Sequence, residues 1–210
     1  MSQVFGQNSI KYLALGDSYT IGEQVETEKS WPYQLTSYLN AENLEVKDPE
    51  VIAVTGWRTD ELQDSIASQN YQPKSFDLVS LLIGVNNQYQ KKSFKTFKVE
   101  FEELLQTAIK LSKKQNKGVF VVGIPDYSLS EFAQEEHLKK VSSRLKRYNR
   151  YIQKMCQRHN VAFYPLQKLS KPLHKNKTML ADDLLHPSGK QYRVWVDSFK
   201  DQVADQLNSL

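Results

Sequence analysis

Ser18 sits in the run Gly16-Asp17-Ser18-Tyr19, where an apolar stretch ends in a glycine and a hydroxyl follows at once. A serine attacks a carbonyl only with a base beside it, and histidine, with an ordinary pKa of about 6.5, suits that work. Four histidines are on offer. His137 and His159 fall in or beside a basic helical stretch, and His174 lies in the lysine-rich loop LSKPLHKNK. His186 differs, because Asp183-Leu184-Leu185-His186-Pro187 places a carboxylate three residues before it. Residues so spaced in a tight turn face each other, so Asp183 can hold the ring Nδ1–H and leave Nε2 free to take a proton. Asp182 is adjacent, and spacing alone favours Asp183. Gly56 and Gly84 open two further runs, GWRT and GVNN, which offer backbone N–H groups that a ligand can approach and a neutral amide donor, Asn86. Each piece alone also reads as an ordinary turn or strand end. Their order along the chain is what makes the combination specific.

The elements that must position these groups are legible as alternating short apolar runs and longer amphipathic stretches. KYLALG (11–16), VIAVTG (51–56), FDLVSLLIG (76–84) and GVFVVGIP (118–125) are nearly continuously apolar, with VAFYPL (161–166) a weaker fifth. Continuous apolarity predicts parallel strands covered on both faces. Helical spacing links Trp31, Leu35, Tyr38 and Leu39, then residues 94–115, then 138–155. A last helix is expected to open near Pro187, as a first-turn proline, and to run through Tyr192, Trp195, Phe199 and Val203. The alternation gives an open α/β fold over one domain, residues 1–210. In such a sheet ligands bind beyond the carboxyl ends of the strands, which selects the Gly16, Gly56 and Gly84 runs and a fourth, Gly123-Ile124-Pro125-Asp126.

Composition bounds the partners. The chain has 210 residues, 28 Lys+Arg against 24 Asp+Glu, and 40% hydrophobic residues, which suits an ordinary globule rather than a disordered chain. A net charge of +4 is mild for nucleic-acid binding, and no apolar run is long enough to span a bilayer. Cys156 is the only cysteine and reads as a packing residue, no Cys/His cluster has metal spacing, and no cofactor is expected. The opening MSQVFGQNSI lacks the pattern of a leader, so the expected location is cytoplasmic. Residues 138–158 hold eight Lys/Arg and no acid, read here as the solvated face of a helix.

Five segments resemble one family, the SGNH or GDSL-type ester hydrolases: ALGDSYTIGE (14–23), VTGWRTDEL (54–62), LLIGVNNQY (81–89), VVGIPDYS (121–128) and DDLLHPSGKQY (182–192). The resemblance implies a flavodoxin-like three-layer α/β/α fold with a five-stranded parallel sheet. It implies Ser18 as nucleophile, His186 as base and Asp183 as its partner. Gly56 and Asn86 would complete an oxyanion hole with the Ser18 N–H, and the substrate would be a small-molecule ester. The sequence departs from the family where Asn87 replaces the usual Asp and Leu184 the usual Gly. Trp57, Tyr89, Tyr127 and Phe132 follow strand ends and are candidates for an acyl pocket, and the absence of a large lid insertion favours short acyl groups such as acetyl. The competing reading is a flavodoxin-like module in which the Ser18 turn binds an anion without hydrolysis; it leaves Asp183 and His186 unexplained.

Overall fold

The computed structural model describes residues 9–209. The first eight residues, on which the leader reading rests, lie outside that range. Five strands, β1 Tyr12–Gly16, β2 Glu50–Ala53, β3 Leu78–Leu82, β4 Val119–Val122 and β5 Ala162–Tyr164, form one sheet in the order β2-β1-β3-β4-β5. Every pairing is parallel. β1, β3 and β4 are buried along their whole length, as their unbroken apolarity requires, while the edge strands β2 and β5 are partly exposed. Across the centre, the Tyr12 and Ser80 hydroxyls share a buried hydrogen bond of 2.9 Å.

Among the described residues ten α-helices lie between and after these strands: α1 Ser18–Ile21, α2 Trp31–Ala41, α3 Thr59–Ser68, α4 Val85–Tyr89, α5 Phe94–Leu111, α6 Glu131–Glu135, α7 Val141–His159, α8 Gln167–Leu173, α9 Gly189–Asp197 and α10 Lys200–Asn208. α2, α9 and α10 pack together on one face of the sheet, and α3, α5 and α7 on the other. Each face has its aromatic core. Trp31, Phe120 and Phe199 meet at centroid separations of 6.1–6.2 Å on the first, and Phe97 lies 4.4 Å from Tyr148 on the second.

Three boundaries differ from the periodicity. The 94–115 stretch stops at Leu111, because Ser112 turns to extended backbone. The 138–155 helix starts only at Val141, since Lys140 has φ +60, and runs on to His159. The last helix does not open at Pro187. Ser188 caps it, its hydroxyl accepting from the Gln191 N–H, while Pro187 pairs with Leu180 in an antiparallel bridge, and the helix breaks at Ser198–Phe199 into α9 and α10. A capping serine outcompetes a proline one residue earlier because it satisfies an orphan N–H.

Candidate active site

Strand order reverses between β2 and β3 around β1, so the crevice at the carboxyl ends of β1 and β3 is where a ligand belongs. Ser18 follows β1 there as the first residue of α1. Asp17 is the helix cap: its Oδ1 accepts from the Tyr19 N–H at 3.1 Å. As a first-turn residue Ser18 keeps a backbone N–H with no intrahelical acceptor. Burial drives the Asp17 carboxyl up to about 7, against the pull of backbone hydrogen bonds, and its Oδ2 is buried without a partner among the described residues.

Beyond β2, Gly56 turns with φ +85, and open space lies where a Cβ would be; its N–H has no acceptor among the described residues. Beyond β3, Gly84 with φ +116 starts α4 and places Asn86 and Gln90 on one side of that turn. Asn86 Nδ2 donates to Trp57 O at 2.9 Å, and Gln90 Nε2 donates to Gly56 O at 3.0 Å. One amide hydrogen of Asn86 thus anchors the Gly56–Trp57 loop and the second remains available. Asn87 points the other way and is buried; its Oδ1 accepts from Thr59 N at 3.2 Å and its Nδ2 donates to Thr59 Oγ1 at 2.6 Å, clipping α4 to the start of α3.

The residues from Ala181 to His186 form a closed loop, with Ala181 N donating to His186 O at 2.8 Å and Leu184 N to Ala181 O at 3.0 Å. Asp183 Oδ1 accepts from the Leu185 and His186 N–H groups at 3.0 and 2.9 Å, and Oδ2 meets His186 Nδ1 at 2.5 Å. Partial burial works to raise the Asp183 carboxyl, but these hydrogen bonds outweigh it and hold it at about 2. Asp182, exposed, has no part in the pair. Leu184 adopts φ +57, the left-handed conformation for which glycine is suited, so the departure from the family pattern changes the residue but keeps the turn. Tyr19 packs edge-on against the His186 ring at a centroid distance of 5.7 Å.

Ser18, Gly56, Asn86 and His186 all line one cavity of about 230 Å³. His186 Nε2 has no hydrogen bond among the described residues, to Ser18 Oγ or to any other group. The walls are apolar: Val85, Tyr89, Tyr127, Phe132 and Leu185. Tyr89 and Phe132 pack at 6.1 Å, and Tyr127 donates its hydroxyl to Gln88 Oε1 at 3.1 Å. Three of the four aromatic candidates are therefore at the cavity; Trp57 is not among its lining residues and packs, partly buried, against the core.

Other candidates fall elsewhere. His174 is buried at the end of α8 rather than in an open loop, with Nδ1 2.9 Å from Ser170 O, and burial lowers its pKa. His159 pairs with Glu102 at 3.3 Å. Asp126 turns away from the cavity to a network with Ser128, Ser142 and Gln167. Among the described residues no group of three or more His, Cys, Asp or Glu is placed to hold a metal, and no helix is long and apolar enough to cross a membrane. Reading from sequence missed Val85 and Leu185 as walls and Gln90 as a clamp; only its place four residues after Asn86 marks Gln90 beforehand.

Comparison with solved structures gives the same fold. EstA, a psychrotrophic esterase from Pseudoalteromonas sp., aligns with a TM-score of 0.66 at 15% identity, covering 95% of this chain and all (100%) of that one. Axe2, an acetylxylan esterase from Geobacillus stearothermophilus, aligns at 0.67 and 18% identity over 92% and 94% of the two chains. TesA aligns at 0.69 and 13% identity over 93% and 99%. No curated protein sequence matches. The model of the GDSL-like Lipase/Acylhydrolase family, however, matches residues 14–194, so the chain belongs to that family and is a carboxylic ester hydrolase by class.

Proposed function

We propose that this enzyme cleaves esters through an acyl-enzyme on Ser18. Ser18 Oγ attacks the carbonyl carbon as its proton passes to His186 Nε2, while Asp183 at Nδ1 stabilises the imidazolium. The carbonyl oxygen, now an oxyanion, takes hydrogen bonds from the Ser18 and Gly56 N–H groups and the free amide hydrogen of Asn86. Collapse breaks the bond to the alcohol, which leaves with the proton held on His186. Water then loses a proton to the same nitrogen, attacks the acyl-serine, and frees the acid.

One observation carries this reading: four groups from four separate chain segments converge on a single cavity of about 230 Å³, with the Asp183–His186 pair assembled beside it. A cavity of that size walled by aromatic rings suits short acyl groups, acetyl foremost. The test is labelling. A p-nitrophenyl phosphonate is expected to modify Ser18 alone, seen by peptide mass, and Ser18→Ala to abolish both labelling and p-nitrophenyl acetate hydrolysis. Undiminished hydrolysis by Ser18→Ala sinks the reading.

A further inference from the structure

The basic stripe of α7 plays no part in that chemistry, yet it does not face open water alone. Arg144 and Arg147 line a second cleft, of about 320 Å³, across from Lys91 and Lys92 in the turn after α4. Its lining contains no carboxylate. Lys91, Arg144 and Arg147 have no acidic partner among the described residues, and Lys92 comes no nearer than 3.9 Å to Asp60. Arg147 is held over the Phe94 ring at 3.9 Å. The floor adds neutral donors. Gln88 Oε1 is taken by Tyr127, which leaves its Nε2 without an acceptor, and the Tyr148 hydroxyl has no partner among the described residues either. Converging like charges repel, and a merely solvated surface interleaves both signs. Apart from Lys92, which reaches Asp60 at 3.9 Å, the available polar groups here are donors lacking an acceptor, which is the complement of an oxyanion.

We propose that this cleft holds a phosphate group of the substrate, so that the enzyme acts on acyl esters of phosphate-bearing alcohols. The inference rests on the Ser18 reading for where the ester sits. The two sites share a wall, since Tyr127 lines the acyl cavity and its partner Gln88 lines the cleft. Two guanidinium forks with two ammonium groups suit a phosphate dianion better than a carboxylate. A helix with its side chains is about 10 Å across, so the phosphate and the ester need a linker of that order to reach both sides of α4.

The test compares the acetyl esters of 3-hydroxypropyl and 8-hydroxyoctyl phosphate with the acetyl esters of the same alcohols lacking phosphate. In the unmodified enzyme the KM of the octyl phosphate ester is expected about tenfold or more below its neutral counterpart, a gap that salt closes. The double variant Arg144→Gln/Arg147→Gln is expected to erase the gap while neutral-ester kinetics and kcat stay within about twofold. Palmitoyl-glycerol 3-phosphate in micelles separates the sources: an arginine-dependent gain there but not with the soluble ester points to a lipid headgroup, and a gain with the soluble ester to a free phosphorylated alcohol. Equal KM values for phosphorylated and neutral soluble esters together with no arginine-dependent gain on the micellar lipid, or a double variant that slows both alike, overturn the proposal. So does inorganic phosphate that broadens in ³¹P spectra but changes no KM, which makes it an adventitious ion only. If no ester is hydrolysed, the Ser18 reading fails instead, and a ³¹P titration of octyl phosphate against both proteins still decides the cleft.

Discussion

Asn86 ties the Gly56–Trp57 loop with one amide hydrogen, lines the cavity, and in the proposed mechanism offers its second hydrogen to the oxyanion. Loss of one oxyanion donor costs roughly 10²–10³ in rate, whereas loss of one neutral hydrogen bond costs about 1 kcal/mol of stability. Asn86→Ala is therefore expected to lower kcat on p-nitrophenyl acetate by about two to three orders of magnitude while shifting Tm by only a few degrees. A rate loss under about threefold removes Asn86 from the hole. Its neighbour behaves oppositely. Asn87→Asp puts a buried carboxylate beside Thr59, whose hydroxyl already donates to Glu100, and removes the Nδ2 donor that Thr59 Oγ1 accepts. Denaturant melts are expected to show a loss of about 1–3 kcal/mol with kcat nearly unchanged. The Asp183–His186 pair was legible because both partners lie within four residues. The role of Asn87 was not, since its partner Thr59 is 28 positions away and only the fold brings them together.

At the level of elements, α4 is the part on which both sites depend. It begins at Gly84, whose φ of +116 suits no L side chain and where an added Cβ would stand 2.7 Å from Phe97 Cε2. Phe97 is fully buried in the aromatic core of α5 and cannot retreat without opening a cavity. Gly84→Ala is expected to destabilise by about 2–4 kcal/mol, from backbone strain and overpacking together, and to cut kcat further because Asn86 moves with the helix. Thermal melts and turnover measured below the transition separate the two effects; an unchanged Tm contradicts the packing argument. The central strands and long helices could be read from period and apolarity because burial on two faces, or on one stripe, leaves that mark. Short elements left none: α1, α4 and α6 are four or five residues long, too short for a helical period to show, and depend on caps and tertiary contacts. At the end of the chain the first turn falls just after Pro187 rather than on it, because Ser188 takes the cap.

For the molecule as a whole, two carboxylates, one beside Ser18 and one beside His186, bend stability with pH in opposite senses. Asp183, held at about 2 in the fold against an ordinary 3.8, favours the folded state above the ordinary value, and that contribution is lost as pH falls through about 2. Asp17, raised by burial to about 7, binds its proton more tightly folded than unfolded. Its contribution is complete below pH 3.8 and disappears as pH rises through about 7, where the folded chain must carry a buried, half-paired charge. Asp17 alone therefore makes stability decline from the acidic range toward pH 8, by on the order of 3 kcal/mol, while buried His174, its pKa lowered by burial, works the other way and loses stability on the acid side. Asp17→Asn keeps the side-chain oxygen that caps Tyr19 and removes the titrating proton. Its Tm is expected to lie at or below that of the unmodified protein at pH 4.5 and several degrees above it at pH 8.5. That crossing, followed by circular dichroism across the range, distinguishes a buried charge from a lost hydrogen bond, which would lower Tm equally at both ends. The chain thus carries, directly before Ser18, a carboxylate that is least at ease above neutral pH, the kind of local cost that stability in a two-layered aromatic core can absorb.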